Sequence, residues 1–498
     1  MKKVVRIGAF LLAALFLLTA LAACKKKTPS EQGGSETNGG QNEELPFEMS
    51  DNIKGLDLKD KEIKIWQFTK ASNSAESFYD MNGNDKGTSV EQKIVSRNLA
   101  VENYLNCLVT FTDTDVYSGN VGDHIRMQLQ TGSTDFDAYE IIQWNCMPLV
   151  LEGWFKDLSN APYIDFEKDW WSDSYHENTM VQGKPYVLAG DISIDMIRCA
   201  AAVFVNKTML EKYYSSEENA YDALYEKVMN YEWTIEEMTT LAKGIGEDLN
   251  GNEQVDIADQ FGFLTNYSNN IDGWFFGCGG TVLKKNEESG LYELNFKTER
   301  NGNIMARIQK MCFEESPDDF GNKAGSTVID GPMTKTVVEK FAMGQMLFCT
   351  GFLYTAERFA NMEQKYATIP FPMLDENQER YYSVMHNIVT MFAIPANCQN
   401  YDATCAVFEA MSAAGHEIVV PEYYDTTLKI RYSENAADAK IIDLIYDSRM
   451  TDVGYVFENR AAEIPRYCIM YGMSFEWYCE KEENTIQKDL DELNGTEE

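Results

Sequence analysis

The sequence predicts an α/β protein in which helices pack on largely parallel sheets, and two observations support this class. Segments 63–68, 109–111 and 137–142 have the apolar patterns of strands, and apolar residues at helical spacing fill the interval between the first two. Strands that alternate with helices are typical of α/β layers. In addition, 498 residues are sufficient for two lobes, each with its own core.

The first 24 residues have the order of a secretory signal. A basic start precedes an almost entirely apolar segment, 10–21, and small residues then lead to Cys24. The Leu-Ala-Ala sequence before Cys24 resembles the lipobox of bacterial lipoproteins, in which the thiol is acylated and the peptide is cleaved before it. We therefore expect a signal peptide over 1–23, lipid modification at Cys24, and a location on the extracytoplasmic face of the cell membrane. An ordinary signal peptide and a membrane-spanning anchor are the alternatives, but the run is short for a span.

Residues 24–54 are predicted to form the lipidated cysteine and a flexible tether, because polar residues and glycine dominate this segment. The whole chain carries 43 basic and 79 acidic residues, a formal net charge of −36. A surface of this charge repels nucleic acid, which excludes nucleic-acid binding as a function class.

Ten further cysteines follow Cys24 without a CxxC pair or the spacing of zinc ligands. An exported protein can pair its cysteines in disulfides. Several of these residues, such as Cys199 and Cys349, lie within apolar runs, which is typical of free cysteine buried as a small hydrophobe. We expect mostly free thiols.

One helix start is well defined in the middle of the chain. Thr234 is placed to cap the helix and Glu237 to complete a capping box, while Trp233 and Met238 are placed to form a hydrophobic staple.

Several short motifs occur in a fixed order between residues 183 and 397. They are 183–188 (GKPYVL), 202–207 (AVFVNK), 233–237 (WTIEE), 260–263 (QFGF), 341–346 (FAMGQM), 350–352 (TGF), 369–372 (IPFP) and 393–397 (AIPAN). In this order and behind a lipobox, the set resembles the family 1 extracellular solute-binding proteins, the maltose-binding-protein-like lipoproteins of ABC importers. The resemblance covers roughly residues 60–480. Val205 stands where the family usually has tyrosine, which is a small departure.

The resemblance implies a two-lobe fold of the Venus flytrap type, with a mostly parallel sheet in each lobe and the ligand in the cleft between them. By the motifs, the first lobe takes residues 55–198 and 326–385, and the second takes 199–325 and 386–498. Hinge closure around a ligand is the conformational change known for periplasmic binding proteins.

Aromatic and polar residues at or just past predicted strand ends are the candidate ligand contacts, since ligands of open α/β sheets bind beyond the carboxyl ends of strands. Aromatic faces suit the C–H faces of sugar rings, and polar side chains suit hydroxyl groups. Any single aromatic residue of this set is more simply explained as core packing, and Phe276 is assigned to the core. The candidates are Trp66, Lys70, Trp144, Asn145, Asp195, Trp274, Phe275, Phe352, Tyr354 and Tyr424.

Residues 248–259 have the pattern of a calcium loop, with oxygen ligands at most of the expected positions. Glu253 replaces the usual sixth-position glycine, and Asp259 replaces the usual long bidentate glutamate, so a metal-free Asn/Gly-rich turn is the alternative. We expect a structural Ca²⁺. The predicted ligands are Asp248, Asn250, Asn252, Asp256 and Asp259, with the carbonyl of Gln254.

The sequence contains no GxSxG, HExxH, P-loop or dinucleotide-binding motif, so no enzymatic activity is expected. The leading hypothesis is a monomeric, membrane-anchored lipoprotein that captures a carbohydrate and delivers it to an ABC permease. A surface glycoside hydrolase or lyase, and the ligand-sensing lobe of a signalling system, are the alternatives. The side chains of the cleft decide which sugar is bound, and the sequence does not name it.

Overall fold

The computed structural model describes residues 49–68, 79–113, 116–214, 219–264, 271–315, 333–431, 433 and 435–496. The predicted signal peptide, Cys24, most of the tether and Lys70 lie outside these residues. Within the described ranges, no helix combines the length and the apolar composition needed to cross a membrane.

The strands of this part of the chain are β1 (Lys61–Gln67), β2 (Cys107–Asp113), β3 (Ala138–Ile142), β4 (Ala201–Asn206), β5 (Phe261–Phe263), β6 (Leu283–Lys285), β7 (Tyr292–Leu294), β8 (Met346–Phe352), β9 (Tyr366–Ile369), β10 (Ser383–Val384), β11 (Thr390–Ala393) and β12 (Arg449–Met450).

The α-helices span Ser89–Leu105, Val121–Gln130, Gln143–Leu151, Asp173–Asn178, Asp195–Arg198, Lys207–Tyr213, Ala220–Met229, Ile235–Ala242, Asp272–Gly277, Glu299–Phe313, Met333–Ala342, Tyr401–Ile418, Ala436–Asp447, Val453–Val456, Arg460–Tyr471, Phe475–Lys481 and Glu483–Asn494. A π-helix spans Glu422–Arg431, and 3-10 helices span Asp51–Ile53, Ser118–Asn120 and Leu353–Phe359.

The first sheet has the strand order β11-β3-β1-β2. β1 runs parallel to β2 and to β3, and β11 runs antiparallel to β3. In β1 the side chains of Ile63 and Ile65 are buried while Lys64 is exposed, as the period of two in a strand requires. The predicted strand, helix and parallel strand at the start of the described chain are all present.

The second sheet has the strand order β5-β8-β4-β9. Its β5–β8 pair is parallel, whereas β4 runs antiparallel to both β8 and β9. Every residue of β4 and β8 is buried, which accounts for their continuous apolar sequences. The α/β class is therefore confirmed, with a largely parallel first sheet and a mixed second sheet.

The allocation of the later segments to lobes was wrong. The segment 326–385 was assigned to the first lobe, but β8 and β9 pair within the second sheet. The segment from 386 was assigned to the second lobe, but β11 pairs with β3, and helix Tyr401–Ile418 packs on helix Ser89–Leu105. The chain thus returns to the first sheet after residue 385, a long-range pairing that short motifs do not reveal.

Two adjacent segments carry the chain between the sheets. Ala200, just before β4, forms an antiparallel bridge with Met385, and the backbone N–H of His386 donates to the carbonyl of Cys199 at 2.9 Å. This crossing places the carboxyl ends of β1 and β3 next to the carboxyl end of β8, where the candidate ligand contacts were expected.

The cysteines and the start of helix Ile235–Ala242 were also predicted from the sequence. The ten cysteines from Cys107 to Cys479 are free, as expected. Helix Ile235–Ala242 begins where predicted, and the Thr234 hydroxyl accepts the N–H of Glu237 at 3.3 Å. The capping box is incomplete, because the Glu237 carboxylate forms an ion pair with Lys227 instead of reaching back to the cap.

Candidate functional site

The candidate site begins at the first turn of helix Gln143–Leu151, which directly follows β3. Its first two N–H groups donate to the turn 386–389, from Gln143 to the carbonyl of Val389 at 2.9 Å and from Trp144 to that of Asn387 at 3.2 Å. These bonds satisfy donors that a helix start leaves open. They also fix the half-buried Trp144 beside the segment where the chain crosses between the sheets.

An aromatic pair lies at the end of β8. The rings of Phe352 and Tyr354 stack with centroids 5.6 Å apart and an interplanar angle of 21°, and both side chains are buried. The imidazole of His386 packs against Phe352 at 4.2 Å. Burial, with a smaller effect of Arg466, lowers the pKa of His386 to about 3, so the ring is neutral at physiological pH. The predicted pair is therefore brought together, but from the second sheet.

A fully buried cation, Arg198, lies behind Tyr354. Its guanidinium is 3.2 Å from Asp195 and 3.7 Å from Glu357, and it lies 4.9 Å from the Tyr354 ring centroid. The Tyr423 hydroxyl donates to the same Glu357 carboxylate at 3.2 Å. The cation is thus compensated by two carboxylates, as burial demands.

Asp195 does not act as a free hydroxyl acceptor. One of its carboxylate oxygens contacts Arg198, and the other accepts the hydroxyl of Thr390 at 2.6 Å and the backbone N–H of Thr390 at 3.2 Å. The expectation that Asp195 binds ligand is wrong, because its charge holds β11 and the crossing segment together.

Glu458 also lies in this region, although no sequence pattern indicates it. Its backbone has φ of 54°, in the left-handed region, and its carboxylate accepts the side-chain amide of Asn387 at 3.4 Å. The side chain is exposed to solvent, yet desolvation by the surrounding protein, together with Glu463, raises the pKa of its carboxyl group to about 7. Asn387 therefore links Glu458 to Trp144.

The structure places the other candidates away from an open surface. Trp274 and Phe275 are fully buried in helix Asp272–Gly277, so their assignment to the ligand site is wrong; they belong to the same core as Phe276. Trp66 is 2% exposed and packs on Tyr139. It is a core residue.

The remaining two candidates lie on the periphery of this region. Asn145 is buried and donates its side-chain amide to the carbonyl of Ser118 at 3.1 Å. Tyr424 is half-buried, and its hydroxyl donates to Asp443 at 2.6 Å beneath Lys429. Trp144 is thus the candidate that keeps a partly exposed aromatic face at the crossing.

Two cavities open elsewhere, and residues of helix Asp173–Asn178 line both of them. One has a volume of about 410 Å³ and includes Asp191, Arg449 and Tyr446 in its wall, and the other has about 500 Å³ and includes Asn178 and Tyr292. None of the sequence-predicted contacts lines either cavity. The wall of the first cavity also includes Met385 of a crossing segment, so the described chain has open volume next to the crossing.

The loop 248–259, for which Ca²⁺ is predicted, contains one left-handed residue other than glycine. Glu253 adopts φ of 59°, the left-handed conformation that glycine usually supplies at the sixth position. The carboxylate of Asp248 accepts the N–H groups of Gly251 at 2.7 Å and Glu253 at 2.8 Å, and these bonds lower its pKa. Hard oxygen donors on such a turn fit Ca²⁺. No three His, Cys, Asp or Glu side chains within the described ranges already converge on a metal-binding point.

Solved structures with the same fold are known. The maltose/maltodextrin-binding domain MalE from Bdellovibrio bacteriovorus, bound to maltotriose, is 12% identical and matches 86% of this chain and 99% of its own, with a TM-score of 0.54. The GacH receptor of Streptomyces glaucescens, solved with acarbose, is 13% identical over 87% and 99%, with a TM-score of 0.54. A family 1 extracellular solute-binding protein from Bifidobacterium longum subsp. infantis is 14% identical over 88% and 100%, with a TM-score of 0.52.

No protein-family model and no curated protein matches the sequence. The structural likeness therefore carries the assignment, and it confirms the two-lobe, periplasmic-binding-protein-like fold that the motifs predicted. The relatives are ligand-binding proteins rather than enzymes.

Proposed function

We propose that this protein is an extracytoplasmic solute-binding lipoprotein that captures a carbohydrate between its lobes and delivers it to an ABC importer. The observation that carries the proposal is the half-buried Trp144 at the crossing between the sheets, where its N–H donates to the carbonyl of Asn387. Flat aromatic faces bind the C–H faces of sugar rings. The same fold in the MalE domain holds maltotriose, and in the GacH receptor it holds acarbose.

The proposed role is recognition without chemistry. A ligand that touches both lobes binds the closed form better than the open form, so it shifts the population toward closure. The acyl chain at Cys24 would keep the protein next to its permease, and the segment up to residue 54 would supply reach. A Ca²⁺ held by the loop 248–259 would stabilise the second sheet's side of the molecule.

The test is a thermal-shift screen of the mature protein against maltotriose, raffinose, xylotriose and cellotriose, with tripeptides as a second class. A ligand at about 100 times its dissociation constant adds roughly 2.7 kcal/mol to the stability. We expect a neutral oligosaccharide to raise the melting temperature and to reduce the radius of gyration measured by X-ray scattering.

The variant Trp144→Ala tests the placement of the site. It should lose a large part of the affinity, because removal of an aromatic platform leaves no substitute contact. Binding of tripeptides but of no sugar would overturn the ligand class and leave the fold untouched. Scattering curves that do not change at saturating ligand would overturn closure.

A further inference from the structure

Glu458 has a left-handed backbone conformation that glycine would adopt with less strain. It follows helix Val453–Val456, whose C-cap is Phe457, and the N–H of Asn459 donates back to the carbonyl of Gly454 at 2.8 Å. A residue that closes a helix end in this way adopts the left-handed conformation, and glycine is strongly preferred there because it has no Cβ. Glu458 has φ of 54° in this position.

The turn itself does not need a carboxylate. The next helix, Arg460–Tyr471, is capped by the side chain of Asn459, which accepts the N–H of Ala461 at 2.9 Å. The backbone of Glu458 donates to the carbonyl of Tyr455 at 3.3 Å, a bond that glycine would make equally well. Non-glycine residues in strained backbone positions cluster at ligand-binding sites, where the side chain offsets the strain.

The surroundings of the carboxylate indicate what it binds. Asn387 donates to one of its oxygens, and the Asn387 carbonyl accepts the N–H of Trp144. Arg466 lies close enough to influence the carboxyl electrostatically, but its guanidinium is engaged by Asp272 in a bidentate pair at 3.0 and 2.6 Å. A solvent-exposed carboxylate accepts hydrogen bonds, so its partner is a donor such as a hydroxyl group. Asn387 joins this carboxylate to the backbone of Trp144, the half-buried aromatic residue at the crossing.

We propose that Glu458 is a ligand-binding residue whose carboxylate accepts hydrogen bonds from adjacent hydroxyl groups of a neutral sugar that lies on Trp144. The inference rests on the proposed function and assigns to it a specificity-determining residue from the part of the chain beyond residue 450. The feature that separates Glu458 from other left-handed residues such as Lys59 is its contact with Asn387 at the crossing.

The experiment compares three variants by calorimetric melting and by titration with whichever of maltotriose, raffinose, xylotriose or cellotriose the wild type binds. Glu458→Gly should melt at or above the wild-type temperature and bind the sugar at least tenfold more weakly. Glu458→Gln keeps the shape but, above the pKa of about 7, replaces a charged acceptor by a neutral one. At a pH well above this value it should weaken binding about tenfold, in keeping with the greater strength of charge-assisted hydrogen bonds. Lys59→Gly is the matched control, since exposed Lys59 also has a left-handed φ of 56°; it should leave the affinity unchanged.

The outcomes separate the two proposals. Wild-type binding that persists unchanged in both Glu458 variants overturns the role of Glu458 and leaves the carbohydrate-binding function intact. A fall in the melting temperature of Glu458→Gly with unchanged affinity assigns the residue a structural role and also overturns the inference. Failure of the wild type to bind any of the four sugars overturns the proposed function, and the role of Glu458 falls with it.

Discussion

Replacement of Trp274 by alanine is the sharpest test of where the core ends and the ligand site begins. Trp274 has no exposed surface and packs edge-on against Phe263 at 5.3 Å and Phe371 at 5.2 Å. Truncation of such a residue costs the lost burial plus the cavity left behind, about 3–5 kcal/mol. At about 2–4 °C per kcal/mol for a domain of 150–250 residues, this corresponds to a fall in melting temperature of roughly 6–20 °C.

The indole N–H of Trp274 also affects how much stability each substitution should cost. No hydrogen-bond partner for Nε1 occurs within the described residues, and an unsatisfied buried donor costs about 1–3 kcal/mol. Trp274→Phe keeps most of the ring and removes this donor, so it should cost much less than Trp274→Ala. The half-buried Trp144 supplies the opposite control, since Trp144→Ala should lose affinity with little change in melting temperature.

Calorimetric melting and sugar titration of these three variants, at a temperature well below every midpoint, give the two quantities independently. We expect Trp274→Ala to bind with wild-type affinity once folded. A Trp274→Ala protein that melts like the wild type and no longer binds sugar would refute the reasoning. It would show that the indole faces ligand, as the sequence pattern first indicated.

Three further predictions concern other parts of the chain. Chelation by EDTA should lower the melting temperature of the wild type but not that of Asp248→Ala, because the loop 248–259 would lose its ion; identical responses would mean a plain turn. Cys24→Ala should release the protein from the membrane or stop its processing, and mass spectrometry that finds an unmodified mature terminus elsewhere would contradict the anchor. The Nδ1–H of His416 donates to the Asp191 carboxylate 2.6 Å away, and this bond raises the pKa of His416 above its usual 6.5. The stability contributed by the His416–Asp191 pair is therefore complete below about pH 6.5 and is lost as the pH rises through the raised pKa of His416. The melting temperatures of the wild type and Asp191→Asn should therefore converge toward alkaline pH.

Local elements were predictable because local physics decides them. The alternation of Ile63 and Ile65 defined β1, and Thr234 marked a helix start at the correct residue. The allocation of β8, β9 and β11 to lobes was not predictable in the same way. It depends on which strands pair across more than a hundred residues, and a single sequence contains no signal for that pairing.

The lack of a long-range signal also limits what the sequence predicts of the candidate site. The sequence pattern selects Trp274 and Phe275 as readily as Trp144, and only burial in the fold distinguishes these two core residues from the half-buried Trp144. The sequence does not indicate Glu458, because one glutamate among 79 acidic residues carries no signal of its own. Its left-handed backbone and its contact with Asn387, 71 positions away, exist only in the folded protein.

The charges around the site lead to a final prediction about the ligand. The two guanidinium groups described there are already neutralised, Arg198 by Asp195 and Glu357 and Arg466 by Asp272. An acidic sugar would have to displace one of these carboxylates, and breaking a buried pair by removing one partner typically costs 3–5 kcal/mol. It would also approach a chain of net charge −36. We therefore expect neutral oligosaccharides to bind more tightly than uronic acid oligomers of equal length, measured side by side by titration at the same ionic strength. Tighter binding of trigalacturonate than of all four neutral trisaccharides would show that a cation is available to the ligand and that the paired arrangement does not persist when ligand is bound.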